Sequence, residues 1–172
     1  MALQTRTRIV LIQHVLEQTE RSNTGRHAVT ALSSVELRVF GAKDLPLEVD
    51  DLAGMLLLWP GQSKWGPTPF IPSGVEGLVV LDGSWSQARK MMQRVPELRS
   101  LQKWSLPAPA GRRSLRASPP GGMSSLEAIA EALAVLEGEE IGKRVRAVHE
   151  ALVQKQLADR GYVGPATGSR SK

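Results

Sequence analysis

The chain has 172 residues, 41% apolar and 23% charged, with a formal net charge of +5. That length fits one domain with a buried core, and the balance excludes a disordered chain. No cysteine occurs, which excludes a disulfide framework, a thiolate metal site and a cysteine nucleophile. No apolar run approaches the length of a membrane span. The N-terminus leads directly into a strand-like segment without a secretory h-region, so a cytoplasmic protein is expected.

Residues 8–14, Arg-Ile-Val-Leu-Ile-Gln-His, form a short apolar run rich in β-branched side chains and predict a buried strand. Turn and capping residues at 22–25 predict a helix over 24–32. Alternation over 35–40 predicts a second strand. Asp50 or Asp51 can open a helical turn, and residues 54–58 are apolar enough for a third strand. The proline-rich segment 62–77 reads as a structured loop. Residues 77–81, Gly-Leu-Val-Val-Leu, predict the clearest buried strand, and 86–92 a helix of high intrinsic propensity. Pro96 predicts a break before a turn at 97–100, and 103–106 a weak strand. Residues 107–122 form a loop rich in Pro, Gly and Arg. Ser124-Ser125-Leu126-Glu127 is a capping box opening an amphipathic helix to about residue 138. A second helix over 139–160 follows, then a flexible basic tail over 161–172. Strands alternating with helices predict a single α/β domain over 1–160 with a mostly parallel sheet. In such sheets ligands bind outside the carboxyl ends of strands, which singles out the loops after His14, Leu58, Leu81 and Leu106.

The charge is unevenly spread. Residues 84–123 hold eight basic side chains (Arg89, Lys90, Arg94, Arg99, Lys103, Arg112, Arg113 and Arg116) and one acid, Glu97. Such clustering suits a polyanion through phosphate contacts and counterion release. A solvated surface that keeps the protein soluble is the plain alternative.

The four loops carry Ser22-Asn23-Thr24-Gly25-Arg26, Leu58-Trp59-Pro60-Gly61, Asp82-Gly83-Ser84-Trp85 with Ala88-Arg89-Lys90-Met91 on the next helix, and Ser124-Ser125-Leu126-Glu127-Ala128. In this order they resemble the DTW-domain family, the tRNA-uridine aminocarboxypropyltransferases, over about residues 8–155. The chain departs from the family in having Ser84 where the motif has threonine, which keeps the hydroxyl. It also lacks the cysteine-rich segment that many bacterial members carry before the first strand.

The resemblance implies a SPOUT-like fold with a C-terminal trefoil knot that holds S-adenosylmethionine. It also implies transfer of the 3-amino-3-carboxypropyl group of that co-substrate to N3 of a uridine in tRNA. Asp82, Ser84 and Trp85 are then the catalytic candidates, with Asp82 as a general base for N3 or as a positioning group. Leu58, Trp59, Pro60, Gly61, Ser124, Ser125 and Glu127 would line the co-substrate pocket. Thr24, Gly25 and Arg26 would meet the methionine carboxylate or RNA phosphate, and Arg89, Lys90, Arg112, Arg113 and Arg116 the tRNA backbone.

Each assignment has a structural alternative. Asp82 and Ser84 suit a helix cap or loop brace, Trp85 suits simple packing, residues 24–26 suit an ordinary cap, and the Ser124–Glu127 capping box suffices by itself. His14 ends a strand as a lone histidine and reads as structural. His27 and His149 fall on helices without ligand-spaced partners, so no metal is expected. An S-adenosylmethionine-dependent RNA methyltransferase of SPOUT type, a ribosomal-RNA aminocarboxypropyltransferase and a non-enzymatic RNA-binding domain are the competing readings. The sequence does not fix an oligomeric state.

Overall fold

A computed structural model describes residues 2–20, 23–60, 74–106 and 122–159. Five strands, β1 (Ile9–His14), β2 (Val35–Phe40), β3 (Leu56–Leu58), β4 (Leu78–Asp82) and β5 (Gln102–Trp104), form one sheet in the order β2-β1-β4-β3-β5. Every pairing is parallel. The helices are α1 (Gly25–Ala31), α2 (Trp85–Arg94), α3 (Pro96–Ser100), α4 (Ser125–Glu137) and α5 (Glu139–Asp159).

The central strands explain their own composition. β1 and β4 are covered on both faces, so Ile9-Val10-Leu11-Ile12 and Leu78-Val79-Val80 are all buried. Continuous apolar runs are what a doubly covered parallel strand requires. Alternate side chains feed two cores. Ile9, Leu11, Leu78 and Val80 pack with Leu126, Ile129, Leu133 and Val145 of α4 and α5. Val10, Ile12 and Val79 pack on the opposite face with Ala88, Met91 and Met92 of α2 and Leu98 of α3. Each fully buried Leu, Ile or Val contributes about 1.5–3 kcal/mol of hydrophobic stabilisation before entropy is counted.

The elements expected from sequence appear with small shifts. α1 and α4 start and stop within a residue or so of expectation, and a 3-10 turn forms at Asp50–Leu52. α2 runs two residues beyond the expected 92 before Val95 and Pro96 end it, and residues 97–100 belong to a short helix because Pro96 pre-sets its first turn. β5 spans Gln102–Trp104 rather than 103–106. The 3-10 turn Val15–Thr19 was not expected from the residue pattern; His14 caps it by accepting the Leu16 N–H on Nδ1. α4 and α5 cross closely: a Cβ at Gly142 would lie 2.4 Å from the Ala134 Cβ, so only glycine fits there. No helix among the described residues is long and apolar enough to cross a membrane.

The strand order fixes where a ligand can sit. From β1 the chain passes outward to β2; from β4 it passes the other way, over β3, to β5. The two connections diverge at the carboxyl ends of the neighbouring strands β1 and β4, and such divergence opens a crevice.

Candidate active site

Gln13 and Asp82 are register partners at that divergence. Both point to the α4 face and both are buried, at 2% and 4% exposure. A buried carboxylate needs donors, and Asp82 has three from three different segments. Gln13 Nε2 donates to Oδ2 at 2.9 Å and Asn23 Nδ2 to the same oxygen at 2.6 Å. Ser125 Oγ donates to Oδ1 at 2.6 Å. Asn23 Nδ2 also reaches Glu17 Oε2 at 3.4 Å, and its Oδ1 accepts the Arg26 N–H at 3.0 Å. Asn23 thus joins the carboxylate to the first turn of α1. Gly25 completes the wall, since a Cβ there would stand 2.5–2.7 Å from the Asp82 carboxyl atoms. The loops after β1, after β4 and before α4 therefore meet at one side chain.

The other wall lies on the α2 side. The loop after β3 brings Trp59 against Trp85, the first residue of α2, with ring centroids 6.3 Å apart at 85°. Edge-to-face packing of this kind stabilises a rigid aromatic corner. Trp59 is held further by its backbone N–H, which donates to Trp104 O at 3.0 Å. His14 ends β1 on this wall, its ring tilted against Phe40 at 5.7 Å. Burial holds the His14 imidazole below its ordinary pKa; Glu17 opposes that shift, and Lys90 and Arg94 add to it.

Ser84 caps α2: its Oγ accepts the Gln87 N–H at 3.3 Å, and Gln87 Oε1 accepts the Ser84 N–H at 2.6 Å. Ser124 and Glu127 form the expected capping box, and Ser124 Oγ also lies 3.1 Å from His149 Nε2. Thr24 is buried and makes no side-chain cap; Asn23 caps in its place. The Arg26 guanidinium donates to the Gln18 carbonyl. Leu58 and Pro60 are half-buried beside Trp59 in sequence. Arg89 and Lys90, with Arg94 and Arg99, are exposed along α2 and α3. Lys103 is turned inward, its ammonium donating to the carbonyls of Arg99 and Leu101, so its charge does not join that exposed row. Gly61, Arg112, Arg113 and Arg116 lie outside the described residues.

Two site residues escaped the sequence reading. Gln13 was legible as the one amide closing an apolar strand. Asn23 was legible as the Asx residue ahead of Thr24-Gly25. Neither spacing reveals that both aim at Asp82.

A doubly covered parallel sheet with a buried polar cluster at its switch point is the α/β arrangement in which strand-end loops are the usual place for a site. The family model of the DTW domain matches residues 1–157. This chain belongs to the DTW-domain family, and that membership is consistent with a tRNA-modifying enzyme. Comparison with curated proteins and with solved structures gives no significant match.

Proposed function

We propose that the protein transfers the 3-amino-3-carboxypropyl group of S-adenosylmethionine to N3 of a uridine in tRNA, acting in the cytoplasm. In that reaction the uracil N3 forms a bond to the methionine carbon next to sulfur while the C–S bond breaks. The bonding pair stays on sulfur, 5′-methylthioadenosine leaves, and the N3 proton passes to solvent. A SPOUT-like topology with a C-terminal knot belongs to the same reading; residues 107–121, between β5 and α4, lie outside those described.

The observation that carries the proposal is the convergence at Asp82 of Gln13, Asn23, Gly25 and Ser125, with Trp59 and Trp85 facing each other on the opposite wall. The residues suit an adenosyl sulfonium donor. The aromatic corner offers a flat apolar surface for adenine, and the serine-bearing start of α4 offers hydroxyl and N–H donors for a carboxylate. With both oxygens engaged and little exposure, Asp82 acts in this proposal as a positioning carboxylate that fixes the loops. Choosing the methionine-chain carbon over the methyl then depends on which carbon is held at near-attack distance, about 3–3.5 Å. The exposed cations of α2 and α3 supply the phosphate contacts.

The test is incubation of the full chain with S-adenosylmethionine and bulk tRNA, followed by mass spectrometry of the nucleosides and the small-molecule product. Aminocarboxypropyl-uridine with 5′-methylthioadenosine is the expected outcome. S-adenosylhomocysteine would instead identify a methyltransferase, and absence of any S-adenosylmethionine binding by calorimetry would leave an RNA-binding domain.

A further inference from the structure

His14, at the carboxyl end of β1, presents a polar atom in a defined chemical state. Its Nδ1 accepts the Leu16 N–H at 3.3 Å. That bond needs the Nδ1 lone pair, so in the neutral ring the proton sits on Nε2. Nε2 has no hydrogen-bond partner among the described residues, and the side chain is half-exposed. Phe40 supports the ring at 5.7 Å, and the His14 Cβ lies 3.5 Å from where a Cβ on Gly83 would stand. The imidazole is therefore seated beside the Asp82–Trp85 turn, at the strand divergence, as a fixed donor.

The titratable groups that act on it are Glu17, Lys90 and Arg94. Glu17 acts on the ring with negative charge and Lys90 and Arg94 with positive charge. A fixed N–H donor is what an anion developing on an oxygen requires. Attack by uracil N3 needs its proton lost, and the resulting negative charge spreads from N3 onto the two ring carbonyl oxygens.

Building on the reaction proposed above, we infer that His14 is a catalytic residue whose Nε2–H donates to a uracil carbonyl oxygen and stabilises the base as N3 loses its proton. No covalent step passes through the imidazole, and its own protonation state is unchanged throughout. A histidine that only packs would make no such distinction between substrates of different N3 acidity.

The experiment uses the full chain, S-adenosylmethionine and two transcripts of one tRNA, made with uridine or with 5-fluorouridine, whose N3 is more acidic. His14→Asn keeps an acceptor for the Leu16 N–H and removes the distal donor. His14→Gln places an amide N–H near the Nε2 position. Release of 5′-methylthioadenosine is followed under single turnover, and a thermal melt is recorded for each variant. His14→Asn is expected to slow transfer to uridine by about a hundredfold, to recover most of that loss on 5-fluorouridine, and to fall below His14→Gln. Equal losses on both transcripts, or no loss at all, would overturn the role of His14 while leaving the transferase intact. Failure of the unaltered protein to release 5′-methylthioadenosine would overturn the transferase reading and this inference with it.

Discussion

Replacing Asp82 separates its structural role from any chemical one. In Asp82→Ala, three donors lose their acceptor: Gln13 Nε2, Asn23 Nδ2 and Ser125 Oγ. Ser125 is half-buried and its hydroxyl can turn to water, whereas Gln13 and Asn23 are 2% and 4% exposed. Gln13 Nε2 is then left without an acceptor and Asn23 Nδ2 keeps only its 3.4 Å contact to Glu17; at about 1–3 kcal/mol for each lost buried partner the loss is about 2–6 kcal/mol. For a domain of this size that lowers the melting temperature by roughly 4–24 °C. Asp82→Asn is gentler. Its carbonyl oxygen can keep Gln13 and Asn23, and its amide can donate to Ser125 Oγ, which turns to accept. Exchanging charged for neutral hydrogen bonds costs about 1–2 kcal/mol. If Asp82 positions the loops, Asp82→Asn retains substantial turnover, with an about tenfold loss equivalent to about 1.4 kcal/mol of transition-state stabilisation. Thermal melts and single-turnover release of 5′-methylthioadenosine measure both quantities. An Asp82→Asn protein that melts like the parent yet has no turnover would refute the positioning argument and make the carboxylate's basicity the essential property. An Asp82→Ala protein of unchanged stability would refute the hydrogen-bond argument itself.

Gly25→Ala would drive a methyl group into the Asp82 carboxyl; turnover should fall together with stability, and full activity in that variant would show that the contact relaxes freely. Arg89→Ala and Lys90→Ala should each weaken tRNA binding across sequences and reduce the salt slope by about one per lost phosphate contact, as read by filter binding at several ionic strengths. Lys103→Met should leave that slope unchanged, because the Lys103 ammonium is spent on the Arg99 and Leu101 carbonyls. Burial lowers the His14 and His27 pKa values from 6.5, so below about that pH the unfolded chain binds protons that the folded chain resists. Stability should therefore decline as pH falls from 7 toward 5, and His14→Asn or His27→Gln should flatten that decline in urea titrations. The Asp51 and Glu36 carboxyls are held low on balance, Asp51 chiefly by hydrogen bonds from Arg38 and Arg8 and Glu36 by the same guanidiniums against its burial. Their contribution is present above the ordinary carboxylate range near pH 4 and is lost as pH drops further.

The sequence revealed those features that repeat along the chain. The doubly buried strands β1 and β4, the capping box at Ser124 and the row of cations on α2 follow from periodicity, propensity and local spacing. The candidate site was legible as four separate loops. What stayed hidden was their mutual geometry. Asn23, 59 positions from Asp82, and Ser125, 43 positions from it, meet the carboxylate only through the strand order and the docking of α4, and neither is encoded locally. Lys103 is a smaller case: it counts as a cation in any composition, but in the middle of the short strand β5 its side chain folds back onto carbonyls. His14 shows the converse, since a lone histidine at a strand end carries no motif, and only the bond to Leu16 reveals the tautomer it presents.

The way Asp82 gathers its partners has a consequence for synthesis on the ribosome. Gln13, Asn23 and Asp82 emerge early, but Ser125 arrives only after most of the chain has been made, on a helix that must first seat against the sheet. Until then the nascent protein has its Asp82 carboxylate open to water and an uncovered apolar sheet face, the kind of surface that invites aggregation or chaperone capture. Assembly of the crevice thus reports that the C-terminal helical pair has docked, and a chain cut short before residue 125 would have a sheet without a competent rim.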